Sequence, residues 1–208
     1  MKEIAALVGV SLSSVSYWVR DVPLTEGQRA ALRWRDPSVN GQRKGALANR
    51  TRSRARRQAE QNEGRSLART ADLGHATGCM LFWAEGSRNK NTVVFTNSDP
   101  AMVRYFVDFL RTSYDVESAA IRLDCNLFAD HVERQREIEQ FWLDTLGLPA
   151  SCLRKSTVNV YSKYSQKTRT NRLPYGTVRV CVHRTDVVQS IYGAIQEYGA
   201  FERPEWLG

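Results

Sequence analysis

Glu85 is the residue of this chain placed most suggestively for chemistry. It ends the apolar stretch Thr77-Gly78-Cys79-Met80-Leu81-Phe82-Trp83-Ala84-Glu85, and Gly86 and Ser87 follow as a polar break. Gly74, Gly78 and Cys79 fall three and four residues apart, so they share one face of a helix. A face of small residues lets a second backbone come close. Glu85 is thereby expected at the foot of a tightly packed helix pair, where a carboxylate is suited to holding a divalent metal. The same residues also fit a plain buried amphipathic helix that ends at Glu-Gly.

A second group of residues suits recognition rather than reaction. Ala5, Gly9, Val15 and Trp18 match a helix-turn-helix: a small residue where helices cross, a glycine for the turn, then two apolar anchors. Ser11 is a natural N-cap for the second helix. With Leu12, Val15, Trp18 and Val19 expected inside, Ser13, Ser14, Ser16, Tyr17 and Arg20 are left to read base edges and phosphates. From Gln28 to Arg69 the chain turns basic, densest at Arg50 to Arg57, and a helix is expected from about Gly45. Its Arg52, Arg54, Arg56 and Arg57 either track a DNA backbone or decorate a solvated spacer. Further on, Lys163, Lys167, Arg169 and Arg172 sit among hydroxyls and Tyr164 between two expected strands, as a basic hairpin loop suited to phosphate and base-edge contact.

The residues around Glu85 carry a resemblance. Gly78 to Gly86 resembles the nine-residue motif of LAGLIDADG homing endonucleases, with Leu81, Phe82, Ala84, Glu85 and Gly86 on its stronger positions. Met80 stands where the family usually has a small residue, and Trp83 where it usually has an acid. The resemblance covers roughly Leu73 to Tyr198. It implies an α+β fold with an antiparallel sheet, paired motif helices at a central interface, and Glu85 as the catalytic ligand of Mg²⁺. One such motif per chain implies a homodimer where two metals are held. Lys90, Asn97 and Arg122 flank the motif as supporting polar groups.

The elements that must position these residues are legible as alternations. Strands are expected at Thr92 to Thr96, Ala119 to Asn126, Ser156 to Tyr161 and Gly176 to Val182, with helices at Asp99 to Tyr114, Gln135 to Leu146 and Asp186 to Tyr198. An internal echo links Phe82-Trp83-Ala84-Glu85 to Phe141-Trp142-Leu143-Asp144, but no glycine follows Asp144 directly, and it is not read as a second acid. Three segments result: a helix-turn-helix at 1–27, a basic helical linker at 28–72, and a LAGLIDADG-like αβ domain at 73–208.

Composition bounds the function. The 208 residues carry 30 Lys and Arg against 22 Asp and Glu, a net charge of +8 that points to a polyanion. A hydrophobic share of 42% supports a real core. No apolar run is long enough to span a bilayer and no signal-like segment opens the chain, so a cytoplasmic, nucleoid-associated protein is expected. Cys79, Cys125, Cys152 and Cys181 lie far apart without metal-ligand spacing and read as reduced core thiols. Three functions follow as alternatives: a Mg²⁺-dependent, site-specific endonuclease of double-stranded DNA, a non-cleaving DNA-binding regulator on the same fold, or an assembly role with a protein or RNA partner.

Overall fold

Four short runs each place every second residue on a common face, and together they build one mixed sheet. The computed structural model describes residues 1–35, 37–159 and 173–208, and the chain divides into two compact units, Met1–Thr51 and Arg52–Gly208.

The first unit is helical. Helix α1 (Lys2–Val8) ends at Gly9, whose φ of 70° is a left-handed turn that a side chain would strain. Helix α2 (Leu12–Trp18) starts at Ser11, which accepts a hydrogen bond from the Ser14 amide at 3.1 Å. Helix α3 covers Glu26–Arg35, and α4 runs Pro37–Ala68, so the division between units falls inside α4. The α4 helix begins earlier than the composition around Gly45 suggests. The expected apolar interior of the α1–α2 pair is only partly realised. Val15 is fully buried and Val19 half-buried, whereas Leu12 and Trp18 are 48% and 57% exposed. Two helices of seven residues offer each other a single row of contacts, and Ala5 with Val15 fills it.

The second unit holds the sheet. Strands β1 (Val93–Asn97), β2 (Ile121–Phe128), β3 (Thr157–Asn159) and β4 (Thr177–Val182) are arranged β1-β4-β2-β3. The β1–β4 and β4–β2 pairs are antiparallel, but β2 and β3 are parallel. The sheet is therefore mixed, not antiparallel as the family resemblance implies. Because β2 lies between β3 and β4, those two strands are not neighbours in the sheet. Within α+β architecture the remaining elements match the alternations closely: α5 (Leu73–Glu85), α6 (Pro100–Tyr114), α7 (Gln135–Leu146) and α8 (Thr185–Gly199).

These helices bury one sheet face. Val93, Phe95, Ile121, Leu123, Cys125, Leu127, Val178, Val180 and Val182 point into the core with Phe82, Phe106, Trp142 and Ile191. Asp99 caps α6 by accepting from the Ala101 and Met102 amides, and Pro100 occupies the first turn, where its missing N–H costs nothing. The four cysteines are free and buried. The echo between α5 and α7 is out of phase by one residue: Trp142 is fully buried, while Trp83 is 44% exposed.

Helix α8 is buried along ten consecutive residues, Val187 to Gln196, including three polar side chains. It is enclosed because the end of α4 crosses it backbone to backbone. A Cβ on Gly64 would lie 1.9 Å from the Ser190 carbonyl oxygen, and one on Gly193 would lie 2.0 Å from that of Gln61. The buried amides satisfy one another across the crossing. Gln61 donates to Gln189 at 2.7 Å, Gln196 donates to Gln61 at 3.0 Å, and Gln189 donates to the Lys90 carbonyl at 2.8 Å. An unsatisfied amide here would cost roughly 1–3 kcal/mol. Residues 52–68, which composition assigns to a linker, thus pack as part of the αβ unit. Alanine normally favours a helix over glycine by roughly 1 kcal/mol. At Gly64 and Gly193 the sign reverses: each Ala variant is expected to lose about 1–3 kcal/mol or more through overpacking. Gly45→Ala, facing open space, is expected to leave the denaturation midpoint of the full chain unchanged or raise it. Urea denaturation of the three variants checks this order.

Candidate nucleic-acid interface

The sheet face turned away from the helices is polar, and the register fixes its rows. Thr96, Arg179 and Asp124 align across β1, β4 and β2; Val94, Cys181 and Arg122 form the next row; Thr177, Asn126 and Thr157 form another. Arg179, Asn126, Thr157 and Asn159 are exposed, and Thr96, Arg122 and Thr177 are half-exposed. Such alternation arises because successive side chains of a strand point to opposite faces. At the centre, Arg179 donates from Nε and Nη2 to one oxygen of Asp124, at 3.0 and 2.9 Å. Asp124 is only 5% exposed, and its hydrogen bond and charge push the Arg179 guanidinium further up. Arg122 donates to the carbonyls of Ala119 and Ile121. Leu153 bridges to Leu123 on the outer side of β2, and from there Arg154 reaches across to donate to His183 Nε2 at 2.8 Å. That bond leaves the proton on Nδ1, which meets the Thr92 hydroxyl at 3.3 Å. Lys155 is exposed beside Arg154.

Glu85 stands elsewhere. It is the exposed last residue of α5, and Asn97 donates to its Oε2 at 3.4 Å. Asn97 continues the alternation of Val93 and Phe95, so Glu85 meets the sheet on its helix-covered side and not among Arg122, Asp124 and Arg179. Gly86 is extended, not left-handed; glycine is needed because a Cβ would sit 2.4 Å from the Phe82 ring. Among the described residues, neither Gly74 nor Gly78 receives a second helix's backbone. Gly78 faces the Phe109 ring of α6, Cys79 is buried, and the nearest group to Gly74 is the Asp72 carboxylate of its own cap. The true glycine crossing, Gly64 with Gly193, escapes sequence reading because the two lie 129 positions apart by subtraction (193 − 64).

Mg²⁺ prefers an octahedral oxygen shell, usually with one or two carboxylates. Around Glu85 the structure supplies one carboxylate and an amide already donating to it, and among the described residues no three His, Cys, Asp or Glu side chains gather into a metal site. Among the described residues, the donors beside Glu85 do not fit a built Mg²⁺ centre.

The amino-terminal candidates present a small polar cluster. The Ser11 hydroxyl lies 2.7 Å from that of Ser13 and 2.9 Å from that of Ser14, so both seryl groups are tied to the cap. Tyr17 is 72% exposed, with the Arg20 guanidinium 6.0 Å above its ring. On α4, Arg52, Arg54 and Arg56 are exposed, and Arg56 lies 3.8 Å from Glu60. Arg57 is committed to the fold, donating to the Leu207 carbonyl and to Asn91, both at 2.9 Å. Lys163, Lys167, Arg169 and Arg172 lie outside the described residues. No helix of the described residues is long and apolar enough to cross a membrane. No protein-family model, curated protein or solved structure matches the chain.

The first turn of α5 carries a buried histidine, four residues before Cys79 and, among the described residues, without a second pair to complete a zinc site. His75 is 3% exposed, with Nδ1 2.7 Å from the Tyr198 hydroxyl and Nε2 3.1 Å from that of Tyr114. Burial lowers its pKa against the opposing charge of Asp72, and burial pushes the neighbouring Cys79 thiol up to about 12. A histidine depressed in the folded state adds stability that is complete above the unfolded value, near 6.5, and is lost as pH falls through the folded value. Acidification below about pH 6.5 is therefore expected to lower the melting temperature. His75→Phe is expected to start lower at neutral pH and show a shallower acid decline. An unchanged decline in that variant contradicts the assignment.

Proposed function

We propose that this protein binds double-stranded DNA, using the open face of the β1-β4-β2-β3 sheet as its principal contact surface and the α2 helix as a second. The observation that supports this most is the composition of that face: arginines, amides and hydroxyls in register on inner strands, with Arg154 and Lys155 at its rim. Strands are known to enter DNA grooves in sheet-based readers, and arginine, asparagine and threonine suit phosphate and base edges. A net charge of +8 supplies the long-range attraction. The LAGLIDADG-like motif and the helix-turn-helix pattern of residues 1–27 favour the same partner.

Of the two DNA-directed readings, the non-cleaving, sequence-specific binder is the better supported. Glu85 lies on the helix-covered side of the sheet, and the donors near it fall short of a metal site. An endonuclease on this fold requires a second copy to bring another Glu85 alongside the first.

Binding is expected to weaken steeply with salt, since each phosphate neutralised adds about 0.9 to the slope of log affinity against log salt. Replacing Arg122 and Arg154 together by Gln is expected to reduce that slope by roughly 1–2. Fluorescence anisotropy of a labelled duplex at several salt concentrations measures it, and a slope near zero for the wild type overturns the reading. Cleavage is tested separately with supercoiled plasmid and Mg²⁺. The binder reading expects no nicking, and Glu85→Gln is expected to leave affinity equal or slightly higher by removing a negative charge. Nicking that disappears in Glu85→Gln establishes the endonuclease instead.

A further inference from the structure

We infer that Arg179 reads a guanine in duplex DNA and that Asp124 is the residue that positions it. This deepens the reading of the open sheet face as the DNA contact and rests on it. The inference starts from the place of the pair. Arg179 is on β4 and Asp124 on β2, the two inner strands, directly opposite each other in register.

Its geometry favours base reading over simple charge. Asp124 is 5% exposed and takes both Nε and Nη2 of Arg179 on a single oxygen. Those two bonds fix the plane of the guanidinium, while the side chain of Arg179 remains 45% exposed. Arginine carries five N–H donors in a rigid fork. Two are committed to Asp124, so donors remain for the O6 and N7 acceptors that guanine alone presents together in the major groove. A mobile arginine would lose rotamer freedom on binding, and one already held loses less. On β1 and β4 its neighbours in the same row and the rows to either side are Thr96, Val94, Cys181 and Thr177, and Arg122 on β2 is turned to the carbonyls of Ala119 and Ile121. Those on β1 and β4 are short, so they leave the guanidinium room to reach a groove.

An ordinary structural ion pair explains these contacts less well. An arginine and a carboxylate on an exposed sheet face contribute little when solvated. Burying the carboxylate under the arginine adds desolvation cost that the pair must offset. The arrangement leaves a charged fork in one orientation at the centre of the open face, and that is a feature with a use in recognition.

The test is selection of bound sites from a randomised duplex library by the full chain, with measured affinities for the selected sequence and its single-base variants. The wild type is expected to prefer guanine at one or more positions. Arg179→Ala is expected to lose that preference at one position by about 5- to 150-fold, the equivalent of one bidentate contact. Arg179→Lys keeps the charge without the fork and is expected to lose the guanine preference equally while retaining more of the affinity for unselected DNA. Asp124→Asn is expected to relax the same position by a smaller factor; circular dichroism of this variant identifies a misfolded chain, and the two Arg179 variants then decide alone. If the wild type binds duplexes with salt dependence but Arg179→Ala and Arg179→Lys weaken every sequence alike, Arg179 is a phosphate contact and the inference falls while the DNA-binding function stands. If the wild type binds no duplex at all, the functional reading itself fails.

Discussion

The close crossing of α4 over α8 is the constraint on which the αβ unit depends. Helix α8 is buried along its whole middle, so something other than the sheet must cover its outer side. Only glycine at 64 and at 193 allows the two backbones to approach to the observed distance. At that separation the side chains of Gln61, Gln189 and Gln196 can close a hydrogen-bonded chain, which the Lys90 carbonyl completes. The crossing also gathers the carboxy terminus, where Trp206 stacks on Tyr192 at 4.5 Å and Arg57 holds the Leu207 carbonyl. With all of this on one side of the sheet, the helices fill one face and leave Arg179, Asn126 and Thr157 of the other exposed.

Much of the αβ unit was legible in the sequence because local physics and tertiary packing agree there. The alternation of Ile121, Leu123 and Cys125 against Arg122 and Asp124 specifies both a strand and its buried face, and α7 ends at Leu146 as expected, with Gly147 in a left-handed turn after it. Pairing was not legible. Nothing local to Thr157–Asn159 indicates that it lies parallel to β2 instead of against β4, since strand order is set by long-range contacts. Nor does an arginine-rich helix announce that its final turns dock. Gln61 and Gly64 look like surface residues until Ser190 and Gly193 are brought to them, and Arg57 looks like a phosphate ligand until its partners are seen.

The candidate site was partly legible for the same reason. Glu85 was correctly placed at the end of an apolar helix with Asn97 close by, because the helix signal and the strand after it are both local. The side of the sheet it meets depends on the phase of β1, and that phase puts Asn97 with the buried residues. Asp124 and Arg179 attracted no notice as a pair, being 55 positions apart and joined only through strand register. The functional weight therefore moves from a single carboxylate to a surface. Among the described residues Glu85 has Asn97 beside it and no three His, Cys, Asp or Glu side chains gather, while Arg179 is held by Asp124 on the open sheet face.

The claim that carries the account is that duplex DNA lies on the open sheet face. Backbone amide chemical shifts of the full chain, followed as a selected duplex is added at low salt, test it most directly. The account predicts that the largest changes fall on Thr96, Arg122, Asp124, Asn126, Thr177 and Arg179, with the buried amides of α8 unmoved. Changes confined to α6 and α7, on the far side of the core, or no changes on β2 and β4 at saturating duplex, would contradict it.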